Sequence, residues 1–314
     1  MADVTTRSDS SLATILLTNH LFEADAKPFA TKEFWSLADR VDPGVLLGSA
    51  TTEIAALAGG DGDRIASLLA GGAQLAFELE RMERQGFSLL TPFDPAYPVR
   101  LRDRLGSNAP PVLYVVGPAD LLQREAIAIV GSRNAGPEGI ETAGSAARTV
   151  AAAGLVLVSG GAKGVDQRSM AAAYSAGGQV LGLLAESLEK RLKDPDTRRV
   201  IGEGMVCLAT PYNPAAGFSV AGAMNRNKLV YALARTTLVV ATEAGSGGTW
   251  SGATEALRRG YGCVSVWRGP GEGAGNEALV RAGGVPVDDL AALLTVRPPM
   301  APGEPAAPQL ALDL

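Results

Sequence analysis

The chain has 314 residues, 46% of them hydrophobic and 19% charged, with a formal net charge of −5 and one histidine, His20. That length suffices for one large core or two unequal ones, and no apolar run reaches the ~20 residues that a membrane span needs. The acidic balance excludes a protein that engages nucleic acid through its overall charge, so any such site must come from a local basic cluster.

The opening MADVTTRSDSS carries acids and lacks the basic-then-apolar order of a secretory leader, so a cytoplasmic protein is expected. Helical patterns follow in LATILLTNHLF, TKEFWSLADRV, TEIAALAG and RIASLLAGGAQLAFELERMERQ, with the turn or cap signals DPG and GGDGD between them. Residues 1–85 therefore read as a small helical domain of four or five short helices.

From Gly86 the texture changes to short β-rich runs alternating with Ala-rich amphipathic stretches. The runs are FSLLT, VLYVVG, IAIVG, LVLVSG, QVLGLL, MVCLAT, TLVVAT and GCVSVW. The helical stretches between them include Pro137 to Ala153, Val165 to Ala176, Met224 to Arg235 and Thr249 to Arg259. This alternation predicts an α/β fold over residues 86–296, a doubly wound, mostly parallel, Rossmann-like sheet. Ligands of such sheets sit beyond the carboxyl ends of the strands. Cys207 and Cys263 each lie inside an apolar run and read as buried strand thiols, with neither a disulfide nor a metal site expected. Residues 297–314, RPPMAPGEPAAPQLALDL, are Pro/Ala-rich and are expected to form a disordered tail.

Three Gly-rich loops leave predicted strands: Val130-Gly131-Ser132-Arg133, Ser159 to Gly164, and Glu243 to Thr249. Glycines admit close backbone approach, and the N–H groups of a following helix suit a phosphate. Arg133 and Lys163 would add charge. None of the loops fits G-x-x-x-x-G-K-[ST] or G-x-G-x-x-G. Each alone could be an ordinary turn; three together with two basic residues favour an anion site. A fourth element, MNRNKLVYALA, reads as a helix opening on Asn225, Arg226, Asn227 and Lys228. Its Asn residues could simply cap it, or Arg226 and Lys228 could reach the same crevice. The basic stretch EKRLKDPDTRR is equally a solvated face or a contact surface. His20 is far in sequence from every loop, which excludes Ser-His-Asp and Cys-His catalysis there.

These segments resemble the DprA/Smf family of DNA-processing proteins, whose Rossmann-like domain carries V-G-S-R, S-G-x-A-x-G-I-D, a late R-N-R helix and an S-G-x-x-T-A-x-x-A loop. Here they stand as Val130 to Arg133, Ser159 to Asp166, Arg226 to Lys228, and Ser246 to Ala256. The approach LLTPFDPAYPVRLRDRLGSNAPPVLYVVGPADLL is similar to the family's D-x-x-Y-P-x-x-L…P-P-x-L-Y-x-x-G entry segment. The resemblance implies a SAM-like or helix-hairpin-helix-like N-terminal domain, binding and protection of single-stranded DNA, help in loading the RecA recombinase during transformation, and a homodimer. Carried over by position, Arg133, Lys163, Arg226 and Lys228 would bind phosphates, supported by Ser132 and the amides of Gly160, Gly161 and Gly247. Departures are Met170 where the family has His, Lys228 where it has Arg, the loop GSGGTW, and no winged-helix segment after the sheet.

Few aromatics lie near the loops, and Tyr212, Phe218 and Trp250 are the candidates for base contact. The competing reading is a LOG-type phosphoribohydrolase or a nucleotide-sensing module of the same superfamily. After Gly248-Thr249, however, the chain reads Trp250-Ser251-Gly252 where those enzymes carry their acids, leaving Glu243 and Glu255 as substitutes. The expectation is therefore a DNA-binding protein with no catalytic residue and no cofactor. The terminal QLALDL, with Gln309, Leu310, Leu312 and Leu314, is similar to peptides that dock on the β sliding clamp.

Overall fold

Five short helices open the chain in the structure, a computed structural model that describes residues 7–18 and 21–296. They are α1 (Asp9–Leu17), α2 (Thr31–Ala38), α3 (Thr51–Ala58), α4 (Gly62–Leu69) and α5 (Gly72–Arg84). Local chemistry sets their ends: Ser8 Oγ accepts from the Ser11 amide at 3.1 Å, and Gly59 terminates α3 in the left-handed conformation. The helices are too short to hold alone; burial of one face fixes them. Phe34, Trp35 and Leu37 turn inward, and the Trp35 indole donates to the Ala109 carbonyl at 2.7 Å while the Arg102 guanidinium stacks on its ring at 3.8 Å. One continuous apolar cluster runs from Leu17, Phe34 and Leu37 into Leu113, Val115 and Leu183 of the sheet.

The entry segment carries β1 (Phe87–Leu90), α6 (Val99–Leu105) and β2 (Leu113–Val116). Then follow β3 (Ala126–Val130), α7 (Pro137–Ala152), β4 (Val156–Ser159), α8 (Val165–Ser175), β5 (Val180–Leu183), α9 (Leu188–Arg191), α10 (Pro195–Gly202) and β6 (Val206–Thr210). The chain continues with α11 (Val220–Leu233), β7 (Thr236–Val239), α12 (Gly247–Arg259), β8 (Cys263–Trp267), α13 (Asn276–Arg281) and β9 (Val285–Val287). The strand order is β1-β2-β6-β5-β4-β3-β7-β8-β9, parallel from β6 to β9 and antiparallel at β1 and β2. All eight β-rich runs of the sequence are strands. The ninth, Val285–Val287, is three residues long around Pro286; lacking an N–H, that proline is tolerated because β9 lies at the edge.

Period-two alternation sorts β3 between two layers. Ile127 and Ile129 pack with Ala143, Ala146 and Ala147 of α7, whereas Ala126, Ala128 and Val130 face the layer of Leu229 and Leu233 of α11. The sheet is thus covered on both faces. Its winding reverses at β3, whose neighbours are β4 and β7.

Several helix boundaries differ from the sequence reading: α1 spans Asp9–Leu17 rather than the LATILLTNHLF run, RIASLLAGGAQLAFELERMERQ is broken at Ala70 and Gly71 into α4 and α5, and beside the site the shift is in α11. Helix α11 starts at Val220, with Ser219 Oγ accepting from the Gly222 amide at 3.0 Å, so the Asn225 to Lys228 run lies inside the helix and neither asparagine caps it. The tail with Gln309, Leu310, Leu312 and Leu314, and His20, lie outside the described residues.

Candidate nucleic-acid interface

The loops after β3, β4 and β7 converge at the winding reversal, around a crevice of about 390 Å³. Glycines let them interlock. Gly164 has φ +81°, and a Cβ there would strike the Ser132 and Arg133 carbonyl oxygens at 2.6 and 2.8 Å. Ser132 N–H donates to the Ala241 carbonyl at 2.8 Å, Ser132 Oγ accepts from the Asn134 amide at 3.1 Å, and Ser159 Oγ donates to the Ile129 carbonyl at 2.7 Å. The β7 loop is pinned by a residue that the sequence did not single out. Asn276 accepts from the Thr242 amide at 3.0 Å and donates to the Val240 and Trp267 carbonyls, both at 2.8 Å.

Beneath the crevice lie two buried charges. Asp166, 6% exposed, accepts weakly from the Ala162 amide at 3.4 Å. Burial pushes its carboxyl up to about 6, against the opposing pull of the Arg226 guanidinium and the Ala162, Gly131 and Gly160 amides. Arg226 is 4% exposed, and its Nη1 donates to the Leu183 carbonyl at 2.8 Å. Its Nε is buried without a partner among the described residues, and the side chain lines both the crevice and an adjoining recess of about 270 Å³. An acid two residues after Gly164 at the start of a helix was the available signal for Asp166. Nothing in the sequence reports that Arg226 is buried.

The remaining expected residues divide. Ser132 and Gly247 line the crevice, Gly161 and Lys163 the recess, and Gly160, Arg133 and Phe218 both, although the Gly160 amide, expected to support a phosphate, is turned to the Asp166 carboxyl instead. Arg133 and Lys163 are exposed, Arg133 with its guanidinium 5.7 Å from the Phe218 ring centroid. Lys228 does not reach the crevice, contrary to expectation. Two residues along a helix is a rotation of about 200° from Arg226, and Lys228 Nζ instead pairs with Glu255 at 3.4 Å. Tyr212 and Trp250 are not in the crevice lining: the Tyr212 hydroxyl donates to the Gly222 carbonyl at 2.7 Å, and Trp250 packs against the core. Of the two carboxylates weighed for hydrolysis, Glu243 lines the crevice and Glu255 does not. Among the described residues no helix is long and apolar enough to cross a membrane.

Comparison with known proteins agrees with this architecture. The family model described as DNA recombination-mediator protein A matches residues 88–295. Over 184 residues the chain is 33% identical to a DNA processing protein DprA of Mycobacterium tuberculosis, covering 54% of this chain and 46% of that protein. Over 172 residues it is 29% identical to DNA processing protein DprA of Streptococcus pneumoniae, covering 52% and 58%. The chain thus spans about half the length of the curated relatives it matches. The crystal structure of the Streptococcus pneumoniae DprA superposes with a TM-score of 0.70 at 20% identity over 93% of this chain and 99% of that one. The DNA processing protein A of Helicobacter pylori, whose structure concerns its single-stranded DNA binding mode, superposes at 0.54 with 24% identity over 67% and 94%. With a match that runs from the antiparallel edge of the sheet past its last strand, the chain belongs to the DNA recombination-mediator protein A family, the DprA/Smf DNA-processing proteins.

Proposed function

We propose that the protein binds single-stranded DNA across the crevice and its recess, backbone first and without bond-breaking chemistry. The observation that carries this reading is the pair Arg133 and Lys163: both are exposed at the rim of the glycine loops, and among the described residues neither is in an ion pair. Arg226 below acts as a fixed positive floor. Phe218, 53% exposed beside Arg133, is the aromatic face available for a base. One such face supports binding that is nearly independent of sequence. Family membership and the single-stranded DNA binding of the Helicobacter pylori relative support the same reading.

The test is a titration of single-stranded DNA, duplex DNA and free nucleotides at two salt concentrations. Replacing Arg133 or Lys163 by Ala should lower the salt slope by about 0.7 per contact for single strands while leaving the unfolding midpoint in place. An unchanged slope in the double variant removes the assignment, and release of free base from nucleoside monophosphates would replace it with the hydrolase. The finer role that we infer is delivery of the bound strand to RecA by a homodimer in the cytoplasm, read as faster RecA nucleation on protein-bound DNA and a dimeric mass in light scattering. A sliding-clamp contact through Gln309, Leu310, Leu312 and Leu314 belongs to the same proposal, and clamp binding that survives deletion of residues 309–314 would dispose of it.

A further inference from the structure

On the flank of α11 opposite the crevice lies a second groove, of about 700 Å³, between the N-terminal helices and the sheet. Helix α11 divides its residues between the two: Met224, Arg226 and Asn227 face the crevice, and Asn225, Lys228 and Leu229 face the groove. Lys27, Lys32 and Lys228 line the groove, and none of its described lining residues is an aspartate or glutamate. In a chain of net charge −5, three lysines around a concave surface without a carboxylate make a local field that attracts anions. Lys27 and Lys32 are exposed and, among the described residues, in no ion pair, the nearby Glu33 being held by Arg64 at 2.5 Å; Lys228 holds only the partly exposed Glu255 at 3.4 Å, a contact that a phosphate can replace. The walls are pre-formed, because Pro28, Pro110, Pro111 and Pro211 have few conformations to lose.

We propose that this groove is a second station for the bound strand: single-stranded DNA leaving the crevice crosses α11 and lays its next phosphates on Lys27, Lys32 and Lys228. The proposal rests on the crevice reading. Continuity with the crevice favours a strand over an acidic peptide: on the ridge of α11 between the two sites the exposed Ala221 and Asn225 are uncharged, and the exposed Val220 lines the crevice itself, so a backbone passes from one site to the other without meeting a carboxylate. Tyr212, absent from the crevice, lines this groove with its ring fixed by the bond to Gly222, a face on which a base can stack. Beyond Tyr212 the neighbouring recess carries Glu23 and Asp25, which bound the track on that side.

The test compares two labelled oligothymidylates, one of about 6 and one of about 25 nucleotides, chosen to fill one site or to span both. Lys27→Ala combined with Lys32→Ala should leave the short strand unaffected. It should weaken the long one on the order of tenfold at ~0.15 M salt and lower its salt slope by about 1.4, two contacts at ~0.7 each. Glu255→Gln, which frees Lys228, should tighten the long strand alone. Equal losses at both lengths, or no loss with the long strand, overturn the proposal. So does release of a labelled oligo-glutamate peptide by the double variant while the long strand stays bound, which gives the groove to an acidic peptide. Arg133→Ala must weaken both lengths; if it weakens neither, the crevice reading falls and the groove proposal with it. If it weakens both while the lysine pair changes nothing, the groove alone falls.

Discussion

Gly160 should be hard to replace although its φ is not positive. A Cβ at this position would lie within 2.7 Å of Arg226 Cζ and 2.8 Å of Asp166 Oδ2, and closer still to Arg226 Nη1. Neither neighbour is a free surface chain: Arg226 is held on the Leu183 carbonyl, and Asp166 is buried among backbone amides. Gly160→Ala must therefore either over-pack the site, at about 1–3 kcal/mol, or push Arg226 off its carbonyl, at about 1.5–3 kcal/mol for a bond to a charged group. Either route lowers the melting temperature by roughly 2–5 °C in a chain of this size. The control is Gly136→Ala, where φ is −67° and nothing lies within 4 Å of the added atom. Gly136 is the N-cap of α7, where alanine ranks below glycine, so that change should cost no more than about 1 kcal/mol. Differential scanning calorimetry of both variants, and of Gly160→Ala combined with Arg226→Ala, reads the coupling. Much of the Gly160→Ala penalty should disappear once the guanidinium is gone. A Gly160→Ala protein as stable as the Gly136→Ala control would refute the packing argument.

The buried carboxylate makes stability depend on pH. Asp166 rises from an ordinary 3.8 to about 6, so between those values the folded state holds a proton that the unfolded chain has released. The contribution is thus fully present below pH ~4 and is lost as pH rises through ~6, on the order of 3 kcal/mol in all. Urea midpoints of the parent should fall relative to those of Asp166→Asn from pH 4 to pH 7, and parallel curves would dismiss the assignment. Phe218→Ala, at a 53% exposed side chain, should leave stability within about 0.5 kcal/mol and weaken single-strand binding by about 1–3 kcal/mol. Trp250→Ala should do the reverse, destabilising the fold while short-strand affinity holds, because that ring packs on the core.

The sheet was legible because parallel strands buried on both faces must be written as continuous apolar runs, and IAIVG, LVLVSG and TLVVAT are such runs. The loops were legible for the same reason in negative: where a backbone crosses another backbone, as Gly164 crosses Ser132 and Arg133, only glycine fits, so the pattern survives in one dimension. What was not legible depends on a third dimension. The start of α11 was misplaced by four residues because Ser219, not an asparagine, supplies the cap. That shift does not move Arg226 or Lys228 in sequence, but two positions inside a helix point in nearly opposite directions, and only one of the pair can face the crevice.

The same reasoning separates the roles mixed within the family motifs. In Val130 to Arg133 and Ser159 to Asp166, most positions are consumed in holding the loops to each other: Gly131 against Val165, Ser159 on Ile129, Gly160 over Arg226, Gly164 over Arg133, and Asp166 beneath the amides. Such residues would mark the motif even in a protein that bound nothing. Arg133 and Lys163 stand apart because neither has an ion-pair partner among the described residues, and exposed cations held at the rim of a concave opening gain little until an anion arrives. The motif is therefore evidence for the fold at its glycines and for the ligand at its two free cations, and substitution of the second set without the first is what isolates binding from folding.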